Sequence, residues 1–415
     1  MGSASSVAGG AAASAGGAGT PIKIGVLQDL TGFAANNGKD WQDGWNMYWA
    51  GNPNSVAGRQ VQSVIADVAG QPDVALTKAK QLVENDKVDV ITGFGFSIEC
   101  FAVAPYIRQM QMPTLVTGNC AAIHLLTDPK YASPYLMRLG NNPGTGTTLA
   151  GYMYDQGARN AIAFSGDNSG YQESVDANST AFVSKGGNIV QELHPPVGTT
   201  DYGPYFSQFD PKADSVFLFI PGLDGLRFGQ TYQNYLQPDK YKIYDLAGGP
   251  TNEADQLKTK ILGMQTIVRY DQGLTNPLNQ AFVKAWAAKF PGRIPTYGVA
   301  SGYVGAQYIA AALAKVNGNT QDKQAFLDAL YNTTLDQTIM GPVHLDKTHD
   351  LVSDAYVEKA VAAGTGDVKL EVQQTLKDIG DGSGLTQAQL DKIPFGTLKG
   401  KWVGMTAAQL ADMTK

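Results

Sequence analysis

Polar and apolar positions alternate in blocks along this chain, beginning with Ile22-Lys23-Ile24-Gly25-Val26-Leu27. A short apolar run closed by turn residues, here Asp29-Leu30-Thr31-Gly32, reads as a buried strand. Trp41, Trp45, Tyr48 and Trp49 then recur at helical spacing and predict a helix with an aromatic core face. Residues 61–67 read as a second strand. Gly70-Gln71-Pro72-Asp73 marks a helix start, because proline fits the first helical position and aspartate complements the dipole. Strands follow at 88–92 and 114–117, with a helix between them to about Arg108. Apolar strands alternating with helices predict a parallel sheet covered on both faces.

After Leu136-Met137-Arg138-Leu139 the pattern starts again. Helices are expected at 144–154 and 172–185, and strands at 161–164, 189–193, 216–220 and 242–246. This is a second lobe of the same class. Beyond Ile267-Val268-Arg269 come helices at 277–290, 297–314 and 323–331 with no strand between them. They are expected to cap an existing sheet. Near the end, residues 385–390 echo residues 405–410, each with Thr followed three positions later by Gln. That capping pattern predicts two short surface helices without functional weight.

The chain's 415 residues exceed one small core, so two domains are expected. Its 31 Lys and Arg against 37 Asp and Glu give a net charge of −6, with no basic block, which argues against nucleic acid or an anionic membrane as partner. No apolar run is long enough to span a bilayer. The first 20 residues are almost all Gly, Ala, Ser and Val and read as a flexible tether. They fit an expression remnant followed by linker, or the mature start of an exported lipoprotein that has lost its signal peptide and lipid-bearing cysteine. The only cysteines, Cys100 and Cys120, both follow predicted parallel strands, where neighbouring loops approach. A disulfide, contributing roughly 3 kcal/mol for such a loop, and two buried thiols are equally open.

The segment "ITGFGFSIECFAVAP" at 91–105 is a strand, a glycine turn and a helix start, where backbone N–H groups favour anions. A dinucleotide fingerprint needs a third glycine where Ile98 stands, and an acid further on that is missing. A nucleophile elbow needs glycine where Glu99 stands, and none of His124, His194, His344 and His349 lies in a triad context. His344 and His349 are five apart in a strand-to-turn stretch, the wrong spacing for a zinc pair, and no P-loop occurs. What remains are loops at the carboxyl ends of parallel strands, where open α/β sheets bind ligands. They carry Asn36-Asn37-Gly38, Phe96-Ser97, Gly118-Asn119-Cys120, Asp167 to Tyr171, Pro221-Gly222-Leu223-Asp224 and residues 245–249. Such groups suit a small molecule held by hydrogen bonds and apolar contact.

The segments "IKIGVLQDLTG", "ADVAGQPDVALTKAKQLVENDKVDVITG", "PYLMRLG", "GDNSGYQES", "IPTYGVASGYVGAQYIAAAL" and "TIMGPVHLDKTHD", in this order across residues 22–360, resemble the type I periplasmic solute-binding proteins of ABC transporters, leucine/isoleucine/valine-binding class. The resemblance implies two doubly wound parallel-sheet lobes of α/β class joined by three crossovers, with the ligand clamped between them. It implies lobe 1 from residues 22–139 plus 270–335 and lobe 2 from 140–269 plus 336–415, with 1–21 as tether. The site residues it implies are Asn37, Ser97, Gly118, Cys120, Tyr171 and Tyr297, with Asp245 or Asp224 as the acid that pairs a ligand ammonium. Phe96, Asn119 and Gly222 join them from the same loops. Cys120 stands where amino-acid binders carry a hydroxyl, and the acid position does not align cleanly, so an aromatic or aliphatic carboxylate or an amide is an alternative to an amino acid. The family further implies no catalysis, no cofactor, no metal, an ABC permease as partner, a monomer, an extracytoplasmic location, and membrane attachment only through an N-terminal lipid anchor absent from this chain. A ligand-sensing receptor domain of the same fold, and an α/β hydrolase using Ser97, are the alternatives.

Overall fold

Each apolar run of the first third becomes a strand of one sheet. The computed structural model describes residues 19–32, 34–236, 240–380 and 387–415, apart from the side chains of Ile123, Ser169, Asn252 and Gln387. The tether expected at 1–21 lies almost wholly outside the described residues. The strands are β1 (Ile22–Gln28), β2 (Ser55–Val56), β3 (Arg59–Asp67), β4 (Val90–Gly93), β5 (Thr114–Val116) and β6 (Leu136–Arg138). They lie in the order β2-β3-β1-β4-β5-β6, parallel except for the β2 edge.

The second sheet contains β7 (Asn160–Ser165), β8 (Asn188–Leu193), β9 (Ser215–Phe219), β10 (Lys242–Asp245), β11 (Gln265–Val268), β12 (Thr334–Leu335), β13 (Val343–Leu345), β14 (Leu351–Ala362) and β15 (Val368–Ile379). Its order is β12-β13-β14-β11-β10-β9-β7-β8, with β15 on β14. β7 to β11 are parallel, whereas β12 to β15 pair antiparallel, so this sheet is mixed rather than purely parallel. β14 and β15 form a hairpin that the apolar pattern does not reveal. β14 is buried almost end to end yet contains Asp354, Glu358 and Lys359, which interrupt the apolar run. Asp354 is answered by Lys377 of β15 at 2.5 Å. Thr334 and Leu335 edge this second sheet.

The helices Pro277–Lys289, Tyr297–Lys315 and Lys323–Tyr331 return to the first sheet. Phe282, Trp286, Val299, Val304, Tyr308 and Phe326 share one core with Ile22, Ile24, Val26, Trp41 and Trp45. The helices Ala35–Gly51 and Tyr297–Lys315 cross closely because glycine sits at the contact. A Cβ on Gly44 would lie 1.9 Å from the Val299 carbonyl, and one on Gly302 would lie 2.1 Å from that of Trp41. The tail is not purely superficial. Leu390, Ile393, Phe395, Leu398, Trp402 and Leu410 enter the second core. The Thr406–Gln409 capping box forms in front of the helix Ala407–Met413, while Thr386 of the earlier echo lies outside the described residues.

Three chain crossings meet between the sheets. Arg138, the last residue of β6, grips Asp350 through two bonds of 2.9 and 2.5 Å. Arg269, past β11, donates to Asn142 Oδ1 at 2.6 Å and Ser353 Oγ at 2.8 Å, and Asn142 donates to Asp350 Oδ1. All five side chains are buried.

Candidate functional site

The carboxyl ends of β1, β4 and β5 build one wall. Gly93 and Phe94 both take positive φ, +99° and +72°. For phenylalanine that conformation is strained, a feature that clusters at ligand-binding turns. Gly95 and Phe96 follow before the helix Ser97–Met110 begins. The turn is held from within. Glu99 Oε2 accepts from the amides of Gly95 at 2.9 Å and Phe96 at 3.3 Å, so two donors expected to face a ligand are already engaged. Asp29 is the neighbouring acid, and Glu99 Oε1 and Asp29 Oδ2 are both buried without a hydrogen-bond partner among the described residues. Burial, then the charge of Asp29, pushes Glu99 up to about 8, and burial raises Asp29. Asp29 lies directly under Gly95, where a Cβ would come within 1.8 Å of Oδ2.

The next loop is tied to this one twice. Cys100 and Cys120 form a disulfide, with Cα atoms 6.4 Å apart, which resolves the two readings of the thiols. Ser97 Oγ accepts from the Ala122 amide at 3.2 Å. The Cys120 carbonyl accepts from Arg138 at 2.7 Å, linking the loop to the crossings.

Asn37, Phe96, Gly118 and Asn119 come together around a notch of about 10 Å³, together with Gln28, Asp29, Gly38, Trp41, Phe94, Gly95, Gly298 and Ser301. All of these pack with the first sheet, so the notch is a recess in one wall of the cleft. Gln28, Asp29, Trp41 and Ser301 were missed from sequence. Trp41 reads as core from its aromatic stripe, yet it stands four residues after Asn37 and therefore on the same helical face.

The facing wall comes from the second sheet. Tyr171 packs edge-on against Phe219, centroids 5.5 Å apart, and burial pushes its hydroxyl up to about 12. Gly222, at φ +66°, opens the helix Gly222–Thr231 with free space beside its Cα. Asp224 is engaged by Arg227 at 3.0 Å and by the Gly198 amide at 2.6 Å. Asp245 is wholly buried and does not reach the cleft. Its oxygens accept from the amides of Ala247, Gly249 and Thr251 and from the Thr251 hydroxyl. Burial pushes it up to about 7. Tyr297 heads the helix Tyr297–Lys315 beside the crossings. Its hydroxyl is buried, meets no partner, and is raised to about 12 by burial against the opposing charges of Arg269 and Arg138.

Hydrolytic chemistry finds no footing. Ser97 accepts from a backbone amide, and among the described residues no histidine is bonded to it. Ser165, His194 and Glu192 are linked in triad order at 3.0 and 3.2 Å, but Ser165 is fully buried. Glu192 there accepts from the Gly400 and Trp402 amides and anchors the tail. Among the described residues no cluster of three metal-ligating side chains occurs, and no helix is long and apolar enough to cross a membrane.

Residues 21–365 match the model of a family described as periplasmic binding protein. A Leu/Ile/Val-binding protein homologue of Brucella melitensis is 28% identical over 377 residues, covering 87% of this chain and 93% of that one. The fold superposes with TM-score 0.83 on an ABC transporter substrate-binding protein from Sphaerobacter thermophilus, 30% identical, covering 88% of this chain and all of that one. It superposes with TM-score 0.78 on a Rhodopseudomonas palustris solute-binding protein in complex with 4-hydroxybenzoate, 24% identical, covering 87% and 98%. The family binds solutes and does not transform them. The chain therefore belongs to the periplasmic binding protein family, as a non-catalytic solute-binding protein of ABC transport.

Proposed function

We propose that the protein captures a small aromatic carboxylate between its two lobes and delivers it to an ABC permease. The observation that carries this reading is the state of the acids. An α-amino acid needs a carboxylate for its ammonium, because a buried unpaired charge is costly. Asp224 and Asp245 are both saturated by other partners. Asp29 and Glu99 are turned onto each other and onto the amides of Gly70, Gly95 and Phe96. Trp41, Phe94 and Phe96 line the notch, and Tyr171 packs on Phe219 in the second sheet, aromatic groups that suit a ring. Ser97 and the first turn of its helix suit the carboxylate.

In this reading residues 22–139 plus 270–335 form lobe 1, and 140–269 plus 336–415 form lobe 2, with Thr334 and Leu335 at the boundary pairing into the sheet of lobe 2. The crossings at Arg138, Arg269 and Asp350 act as the hinge, and closure buries the solute. The protein works as a monomer outside the cytoplasm, with residues 1–21 as tether to a lipid anchor. Thermal-shift measurement with benzoate, 4-hydroxybenzoate, leucine and isoleucine tests the solute class. The aromatic acids should raise Tm, since a ligand that binds only the folded state stabilises it. A rise with leucine or isoleucine and none with either benzoate overturns the reading.

A further inference from the structure

Trp41 carries an indole N–H, which can only donate. The side chain is 2% exposed, and Nε1 is buried without an acceptor among the described residues. Elsewhere the chain satisfies this group. Trp45 donates to Ser63 Oγ at 2.8 Å, Trp286 to the Arg293 carbonyl at 2.8 Å, and Trp402 to Asp176 Oδ1 at 2.7 Å. Trp49 also has no acceptor, but it is only half-buried and does not line the notch. A buried donor left unpaired costs about 1–3 kcal/mol. At Trp41 that cost falls in the wall of the cleft.

The notch itself limits what can answer the donor. Its volume, about 10 Å³, is of the order of one water molecule or one hydroxyl. Among the described residues no Lys, Arg or His lines it, and the one ionisable group that does is Asp29, whose Oδ2 is buried without a partner. A carboxylate would enter without a cation and against that acid. A neutral hydroxyl can accept from Trp41 Nε1. Ser301 Oγ, which donates to the Gly298 carbonyl at 3.1 Å, keeps lone pairs for the hydroxyl's own proton.

We propose that Trp41 is a specificity-determining residue whose indole N–H receives the ring hydroxyl of a hydroxylated aromatic acid in the lobe 1 notch. This rests on the aromatic-carboxylate reading above and adds which member of the class is preferred. A site built to hydrogen-bond a substrate hydroxyl discriminates strongly against the analogue without it.

Calorimetric titration of 4-hydroxybenzoate and benzoate into wild type and Trp41→Phe tests this. Wild type should bind 4-hydroxybenzoate at least ~10-fold more tightly, and Trp41→Phe should reduce that ratio to about 1–2. Equal wild-type affinities, or an unchanged ratio in the variant, overturn the assignment of Trp41 and leave the solute class standing. If neither acid binds and isoleucine does, the solute class falls and this inference with it. Should Trp41→Phe fail to fold, the indole ¹H–¹⁵N resonance of Trp41 in wild type replaces it, with Trp45, Trp286 and Trp402 as controls. It should move with 4-hydroxybenzoate and not with benzoate; a resonance unmoved by 4-hydroxybenzoate overturns the proposal.

Discussion

The two walls of the cleft are made differently. On the first, the backbone is fixed before any solute arrives: the disulfide joins adjacent loops, Glu99 caps the helix from within, and Ser97 holds Ala122. On the second, rings and open positions dominate: Tyr171 on Phe219, free space at Gly222, and exposed apolar side chains at Val197 and Leu223. A pre-set wall lowers the ordering cost of binding. An apolar wall that is exposed when open gains from being covered, by about 1.5–3 kcal/mol for each large side chain fully buried. In the function proposed above, lobe 1 thus supplies most of the selection, and lobe 2 most of the drive to close.

The largest expected effect strikes both walls at once. Asp350→Ala leaves Arg138 buried without its partner, which should cost about 3–5 kcal/mol in denaturant unfolding. A loss under about 1 kcal/mol would mean the crossings are not a shared anchor. Next, replacing Cys100 and Cys120 together by Ala opens a loop with sequence separation 20 and should cost about 3 kcal/mol. The comparison sharpens if affinity falls with it, and breaks if affinity is unchanged, since the fixed wall would then not depend on its tie. Tyr171→Ala probes the other wall. It should weaken solute binding about tenfold, the loss of roughly 1.4 kcal/mol of ring contact, with a smaller effect on unfolding.

Much of this division was legible in the sequence, but unevenly. The strands of the first wall announce themselves as apolar runs, and the loops after them follow from parallel topology; the structure brings Asn37, Phe96, Gly118 and Asn119 of those loops around one notch. Trp41 was hidden by its own neighbours, because one face of its helix serves the core and the site together. For Asp245 the sequence shows an acid at a strand end but not that the following turn saturates it. The β14–β15 hairpin was missed because Asp354 and Glu358 are buried by partners distant in sequence, Lys377 and Asp271.

A smaller effect concerns pH. Glu99 is raised to about 8, and Glu358 to about 9, both chiefly by burial and then by a neighbouring aspartate. An acid raised on folding binds its proton more tightly in the native state, so stability declines as pH rises from the ordinary carboxylate range toward these values. Glu99→Gln keeps an acceptor for the Gly95 and Phe96 amides and supplies a donor to Asp29. Unfolding free energies between pH 5 and 9 should therefore fall less steeply in the variant. An identical slope would show that the pair under the first wall does not titrate in this range.

The smallest effect lies where the walls meet. His124, in the loop after β5, places Nδ1 3.5 Å from Glu173 Oε1 on the helix Ser169–Ser184, with its ring 5.4 Å from Phe395 of the tail. The hydrogen bond to Glu173 raises the histidine, with Asp128 and Asp391 adding to it. A raised histidine contributes fully below its ordinary value near 6.5, and that contribution is lost as pH climbs through the higher native value. The imidazole is a quarter exposed, so the contact is worth only about 0.5 kcal/mol. Because it joins the two lobes, even this amount shifts an open–closed balance by roughly twofold. Small-angle scattering should find the ligand-free protein slightly more compact at pH 6 than at pH 8, and His124→Gln should remove the difference. If the variant retains it, the compaction comes from elsewhere, and the fixed wall and the closing wall meet here by packing on Phe395 alone.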